Sequence, residues 1–394
     1  MYIDCHIIRN LAPSSLNRDD TGAPKSTIFG GVRRAAISSQ ALKRAMRLYM
    51  QEKNCIPPEE QAIRTKRLIA QTADILAARG RDPETAIRAA ELALAGVGLK
   101  SDEKHQTEYM LFMPGNAPEL LAEVLDAHFD DVVTAIDRIG AESAGEGSDG
   151  QKGSKAKKDL RRVVCNHMPG EVIKRVEQLL DHKTIVQAAF GRMLADLKQY
   201  NIDAFVSVAR AIGTNRLAAE FDYVSVVDDL LNDDESGAGF LGLDEYNSAC
   251  MYEFMTISVR QALKNLDGDR ARVRMAVEGL LNAFAYAIPS GKKNAFPSFV
   301  NPSLMLVVVQ EDQPLQLCNA FDTPIYPTEE KGLIQRSIET LDEYFGETVA
   351  KWNRMESIRY IGAVKEGRAQ LRVLAAYEKS SIKTLIEEAI AAMG

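Results

Sequence analysis

The chain has 394 residues, enough for two or three domains or for one domain with large insertions. Its composition is that of a globular protein, and no run of apolar residues approaches the roughly 20 needed to cross a bilayer. The net charge of −7 argues against nucleic-acid binding only as an average, because phosphate binding depends on where Lys and Arg sit.

Ile3, Cys5 and Ile7 alternate with Asp4 and His6, which predicts a half-buried strand over 2–9 rather than the apolar stretch of a signal peptide. Residues 10–35 are rich in Asn, Asp, Gly, Pro and Ser and read as a long loop. Ser38 is an N-cap candidate for a helix to about Lys53, with Leu42, Ala45, Met46 and Tyr49 at helical spacing. Helices are expected over 58–80 and 84–96, a strand over 108–113 and more helix over 117–140. Residues 143–158 contain no apolar side chain larger than Ala, so they cannot offset chain entropy and are expected to be a flexible loop. Strands are expected over 184–194, 204–212, 223–227, 251–257 and 304–309, and helices over 268–288, 331–353 and 381–393. Strands and helices mix without strict alternation and helices cluster early. That points to an α+β fold with a helical insertion.

The five cysteines (Cys5, Cys55, Cys165, Cys250 and Cys318) are scattered and form no CxxC pair, as expected of reduced thiols in a cytoplasmic protein. The five histidines show no metal-ligand spacing. Neither a metal nor a cofactor is expected.

Positive charge is local. Arg18, Lys25, Arg33, Arg34, Lys43, Arg44 and Arg47 cluster against only Asp19 and Asp20. A second cluster, Lys152, Lys155, Lys157, Lys158, Arg161 and Arg162, faces only Asp159, whereas Asp228, Asp229, Asp233, Asp234 and Glu235 concentrate acid elsewhere. Gly30 and Gly31 allow a tight turn and close approach of backbone N–H groups to an anion. Ser38, Ser39 and Gln40 open a helix, where free N–H groups and the dipole favour an anion. Lys43 and Arg47 lie four apart on one face of that helix, with Arg44 flanking. Lys292, Lys293 and Asn294 follow Ser290-Gly291 as a basic turn. The residues alone leave two readings open: a track for a phosphodiester backbone, or solvated basic surfaces. The same alternatives hold for the lysine-rich run, as an electrostatic hold on DNA or a solvated loop.

In the order of its motifs the chain resembles the CasC family, the backbone subunit of the type I-E CRISPR Cascade complex. The likeness is carried by Leu-Asn-Arg-Asp-Asp at 16–20, Phe-Gly-Gly at 29–31 and Ile-Ser-Ser-Gln-Ala-Leu-Lys-Arg-Ala-Met-Arg at 37–47. It continues at Phe-Gly-Arg-Met (190–193), at Phe-Asp-Tyr with Val-Asp-Asp-Leu (221–230) and at Pro-Ser-Gly-Lys-Lys-Asn (289–294). The family commonly has a basic residue where this chain has Ala36, so Arg33 or Arg34 is expected to compensate. Lys293 stands where Gln is usual.

The resemblance implies a hand-shaped protein. Its palm is a modified RRM-like, ferredoxin-type sheet over 1–54, 183–216 and 247–394. Helical fingers occupy 55–182, and a β-hairpin thumb occupies 217–246. It implies copies stacked along a CRISPR RNA (crRNA), with bases left exposed to pair with a target DNA strand. Partners would include further copies of the chain and other Cascade subunits of the CasA, CasB, CasD and CasE type, and no membrane. The implied RNA-binding residues are Arg18, Asp20, Lys25, Ser38, Gln40, Lys43, Arg44, Arg47, Arg192 and Met193. Met193 would wedge against a base. The thumb would act through Ser225, Phe240 and Leu241, and Lys292, Lys293 and Asn294 would form a nucleic-acid loop. The expected role is non-catalytic.

An enzyme reading competes. Asp19 and Asp20 in a loop, with His6 on a nearby strand, resemble the paired carboxylates of a metal-dependent ribonuclease. The bland role of the pair is to bond Arg18 and shape the loop. A nucleotide-binding enzyme at Gly30-Gly31 is disfavoured, because no P-loop and no GxGxxG follows a strand.

Overall fold

The computed structural model describes residues 1–145, 154–226 and 240–394. They divide into two compact units. One holds Met1–Cys55, Phe205–Lys264 and Asp269–Gly394, and the other holds Ile56–Ala204 and Asn265–Gly268.

In chain order, the first stretch carries β1 (Tyr2–Asn10), β2 (Ser26–Phe29), β3 (Val32–Ile37) and α1 (Ser39–Glu52). The next carries β4 (Ala62–Thr65), α2 (Leu68–Ala78), α3 (Pro83–Gly96), β5 (Leu111–Pro114), α4 (Ala117–Ala127), α5 (Phe129–Gly145), α6 (Ser154–His167), α7 (Gly170–Asp181) and α8 (Ile185–Phe190). Then come β6 (Val206–Val208), β7 (Ala211–Gly213), β8 (Glu220–Val226), β9 (Phe240–Tyr246), β10 (Cys250–Ser258), α9 (Val259–Asn265) and α10 (Arg270–Tyr286). β11 (Leu304–Gln310), α11 (Leu333–Lys351), β12 (Ile358–Lys365) and α12 (Ile382–Ala391) complete it. The result is a mixed α/β protein with an antiparallel sheet.

The first unit is built on that sheet, in the order β12-β11-β1-β10-β7-β3-β2, with β6 also paired to β10. β1 lies inside it, between β10 and β11. The expected half-buried strand is in fact buried on both faces, because helices cover both sides of the sheet. On one face Ile8 joins Tyr252, Leu306 and Val308 in a cluster with Ile338, Leu341 and Phe345 of α11. α1 turns Leu42, Met46 and Met50 inward and packs against α10, which buries Val277, Leu280 and Phe284. Double burial forces the polar alternates of β1 to find partners. His6 Nδ1 lies 2.9 Å from the Tyr252 hydroxyl, and Asp4 accepts from the Leu315 N–H at 2.8 Å and from the Gln310 amide. Arg9 pairs with Glu253 at 3.1 Å and donates to the Ala285 carbonyl at 2.9 Å.

The second unit is largely helical. Its core joins Leu76, Leu92, Leu121, Val132, Val164 and Val176 from α2 to α7. It extends to Ala204, so residues 183–204 group with the helices rather than with the sheet as expected. The predicted strand over 184–194 is instead α8. The Thr184 hydroxyl accepts the Gln187 N–H and the Gln187 side chain accepts the Thr184 N–H, a capping box that starts a helix.

Other expectations also change. The loop expected over 10–35 contains the β2–β3 hairpin, turning at Gly30 and Gly31 with φ of 57° and 72°. A Cβ on Gly30 would fall 1.8 Å from the Asp322 carbonyl oxygen, so only glycine fits there. The helix expected over 58–80 is preceded by a short 3-10 turn and β4, and no expectation covers β12. The expected flexible loop 143–158 is helical at its flanks, in α5 and α6, and its centre lies outside the described residues.

Candidate nucleic-acid interface

Three segments distant in sequence meet in the first unit. The Asn17 side-chain oxygen accepts the Ser38 N–H at 2.9 Å, while its carbonyl accepts the Lys25 N–H at 2.8 Å. Lys25 in turn accepts the Ala36 N–H at 2.9 Å, which stitches loop 16–25 to β3 and to the start of α1. Gly291 lies against the same loop: a Cβ there would meet the Leu16 carbonyl oxygen at 2.3 Å. The segment 289–294 is thereby brought beside the loop and the helix.

On this surface Arg18, Asp20, Gln40, Arg44, Lys293 and Asn294 are exposed, and Lys25, Lys43 and Arg47 are half-buried. Lys43 and Arg47 each also interact within the chain. Ser38 is buried and caps α1, its hydroxyl accepting the Ala41 N–H at 3.3 Å. Lys292, at a positive φ of 45°, forms an ion pair with Asp244 of β9. Part of its charge is therefore matched within the chain.

One expected compensation fails. Arg34 is fully buried, donating to the carbonyls of Gly213 (3.1 Å), Thr214 (2.8 Å), Phe321 (3.0 Å) and Asp322 (3.0 Å). It clamps β3 to β7 and to the 318–322 turn and does not reach a ligand. Arg33 is exposed and donates to the Ser26 hydroxyl at 2.9 Å. Ala36 is itself buried opposite Ile212.

β8 and β9 form an antiparallel pair with Tyr223 opposite Leu243 and Ser225 opposite Leu241. Directly paired residues share a face, so Phe221, Tyr223, Leu241 and Leu243 line one side, all of them exposed. At the base of the pair, Asp244 meets Lys292, and the Tyr246 and Phe296 rings stack with centroids 5.3 Å apart. Phe240 belongs to β9 by its backbone, but its side chain and the acidic segment 233–239 lie outside the described residues.

In the second unit, Gly191 (φ 78°) leads into Arg192 and Met193. Arg192, expected to bind RNA, is turned inward. Its guanidinium donates to the carbonyls of Tyr200, at 2.8 and 3.0 Å, and of Leu180. Burial lowers its pKa to about 10. The carbonyls capture the side chain because they would otherwise be buried without donors. Met193 points out, 84% exposed.

The carboxylate pair is arranged for shape. Asp19 accepts from the Thr21 hydroxyl (2.7 Å) and from the Thr21 and Ala23 N–H groups (2.9 and 3.2 Å), and these bonds hold its pKa below the usual value. Asp19 thus shapes the loop as expected, but by bonding Thr21 and Ala23 rather than Arg18. His6 is buried on β1, and burial lowers its pKa to about 3. Among the described residues no group of three or more His, Cys, Asp or Glu could hold a metal ion. Of the lysine-rich run, Lys152 lies outside the described residues, and Arg161 donates to the Gly96 carbonyl at 3.1 Å.

Sequence reasoning missed the cleft beside the basic helix face, about 630 Å³, which Arg44 and Lys293 line together with Tyr49, Tyr286 and Phe299. Helical spacing marks Tyr49 only as a core position, and nothing local marks Tyr286 or Phe299 as its neighbours.

The family described as CT1975-like protein matches residues 3–388. A solved chain from a "CRISPR RNA-guided surveillance complex, pre-nicking" superposes with a TM-score of 0.83 at 26% identity, covering 100% of both chains. A chain of another "CRISPR RNA-guided surveillance complex" superposes with a TM-score of 0.72 at 22% identity, also over 100% of both, and shares the fold. Among curated proteins nothing matches. No helix among the described residues is long and apolar enough to cross a membrane.

Proposed function

On the premise that the chain belongs to the CT1975-like family, as the match over 3–388 establishes, we propose that it is the non-catalytic, crRNA-binding backbone subunit of a type I-E Cascade complex. The resemblance to the CasC family agrees with that membership and with the likeness to surveillance-complex chains. In this reading, copies assemble along the guide and present its bases for pairing with target DNA in antiviral defence. Base pairing reads the sequence, and the protein reads the backbone.

The observation that carries the reading is the meeting of loop 16–25, the start of α1 and segment 289–294 on one surface of the first unit. It gathers Arg18, Lys25, Lys43, Arg44, Arg47 and Lys293, a charge pattern suited to phosphates. Two further features support it. The strands β11-β1-β10-β7 lie in an order that an RRM-like palm would have, with α1 following β1 and α10 lying between β10 and β11. The exposed apolar β8–β9 pair suits a thumb, and Met193 suits a base wedge. The loop-shaping bonds of Asp19 favour this reading over a ribonuclease.

Expression with a guide RNA and purification of the chain test it. The particle should carry RNA, read from its absorbance ratio, and should leave labelled RNA intact in magnesium or manganese. Protein that emerges free of nucleic acid refutes the backbone role, and metal-dependent cleavage refutes the non-catalytic one.

A further inference from the structure

We propose that the cleft lined by Arg44, Lys293, Tyr49, Tyr286 and Phe299 seats one unpaired nucleobase of bound single-stranded RNA. The inference rests on the reading above and adds to it where a base goes. Its volume of about 630 Å³ lies in the range of small-molecule sites, roughly 300–1,000 Å³.

The lining has the two chemistries that a nucleotide asks for. Arg44 and Lys293 are exposed cations without an ion-pair partner among the described residues. Phe299 is 81% exposed and Tyr286, though it stacks on Tyr49, keeps 40% of its surface exposed, so both leave apolar surface open to a ligand. The Tyr49 and Tyr286 rings lie nearly parallel, with centroids 6.3 Å apart and planes at 25°, so a base laid on either ring would align with both.

Charge sets the direction of entry. Glu52 also lines the cleft, eight residues beyond Arg44 on α1 and so about 12 Å along the helix. A phosphate is attracted to the Arg44 end, whereas at the other end Glu52 and Lys53 pair at 3.6 Å and largely cancel each other's charge. The cleft also continues the proposed phosphate track: Arg44 follows Lys43 in α1, and Leu16 and Gly291 line the cleft as well as joining the loops. A strand following the track therefore passes its cationic end.

The test uses the full chain and a short single-stranded RNA carrying the fluorescent base aminopurine at successive positions. Stacking in the wild-type cleft should quench the fluorescence at a subset of positions. Phe299→Ala, which removes an exposed side chain, and Tyr286→Leu should each weaken binding about tenfold and restore the fluorescence, with the salt slope unchanged. Arg44→Ala should instead reduce the slope by about 0.7. Equal affinity and equal quenching in both aromatic variants, while Lys43→Ala/Arg47→Ala still weakens binding, overturns the nucleobase seat alone. A wild-type chain that does not bind RNA overturns the seat and the backbone role together. Aromatic variants that keep RNA affinity but lose self-association in sedimentation would make the cleft a protein seat, and the proposal would fail.

Discussion

The side-chain oxygen of Asn17 accepts the Ser38 N–H at 2.9 Å, so one short polar side chain couples the basic loop to the capped start of the basic helix. Asn17→Ala removes that coupling without removing a charge. The variant should lose about 1 kcal/mol of stability in urea unfolding. RNA affinity should fall while its salt slope stays unchanged, because the cations remain but are less well placed. An affinity equal to wild type would show that the loop is held by its backbone bonds alone.

Replacing Lys43 and Arg47 together with Ala should weaken RNA binding to a similar degree for all guide sequences. The slope of log affinity against log salt should drop by about 0.7 for each phosphate that is no longer neutralised. A guide preference above about tenfold, or about 1.4 kcal/mol, in the wild-type chain would contradict backbone reading.

The four residues Arg33, Arg34, Arg192 and Met193 should separate into two classes. Arg34→Ala removes the guanidinium from four carbonyls, of which Thr214's still accepts the Ile325 N–H at 2.9 Å, and should cost about 3 kcal/mol or more. Arg192→Ala should cost about 2 kcal/mol through the Tyr200 and Leu180 carbonyls. Arg33→Ala and Met193→Ala should stay within about 0.5 kcal/mol of wild type. Thermal unfolding of the four single variants decides it, and an Arg192→Ala protein of undiminished stability would return that residue to the RNA ligands.

Acid should act on β1 through two opposed groups. Burial takes the His6 pKa from 6.5 to about 3, so between these values the unfolded chain binds more protons and stability is lost through His6 as the pH falls. Asp4 has the opposite sign. Burial raises its pKa from 3.8 to about 6, so the folded chain binds the proton first and its contribution improves as pH falls through that window. His6→Gln removes only the first effect. Relative to wild type, the variant should gain about 1.4 kcal/mol for each pH unit below 6.5, down to about pH 4. Parallel urea-midpoint profiles for the two proteins would mean that His6 is not held neutral in the fold.

Tyr223 and Leu243 lie opposite each other on the uncovered face of β8 and β9. Changing both to Ser removes apolar surface that the subunit does not bury, so the melting temperature should hardly move. Regular assembly along RNA should be lost if that face meets a neighbour's RNA, with about 1–3 kcal/mol at stake per stacked base. Full-length particles in electron microscopy would remove the pair from the assembly surface.

Local patterning in the sequence determined what depends on near neighbours. Ser38 as a cap, the inward stripe of Leu42 and Met46, the strands near 251–257 and 304–309 and the three terminal helices follow from spacing and capping chemistry. The order of motifs was enough to reach the family. Tertiary structure alone decided which charged groups are free to meet a ligand. Arg33 and Arg34 are adjacent in the chain, yet carbonyls at 213–214 and 321–322 draw one inward and leave the other exposed. Arg192 and Met193 divide the same way. β1 alternates as a half-exposed strand should, but two helical layers bury both its faces. The cleft joins residues on α1 to others some 240 positions later. Burial and orphaned backbone acceptors arise from the summed packing of distant segments, and no local period in a sequence records them.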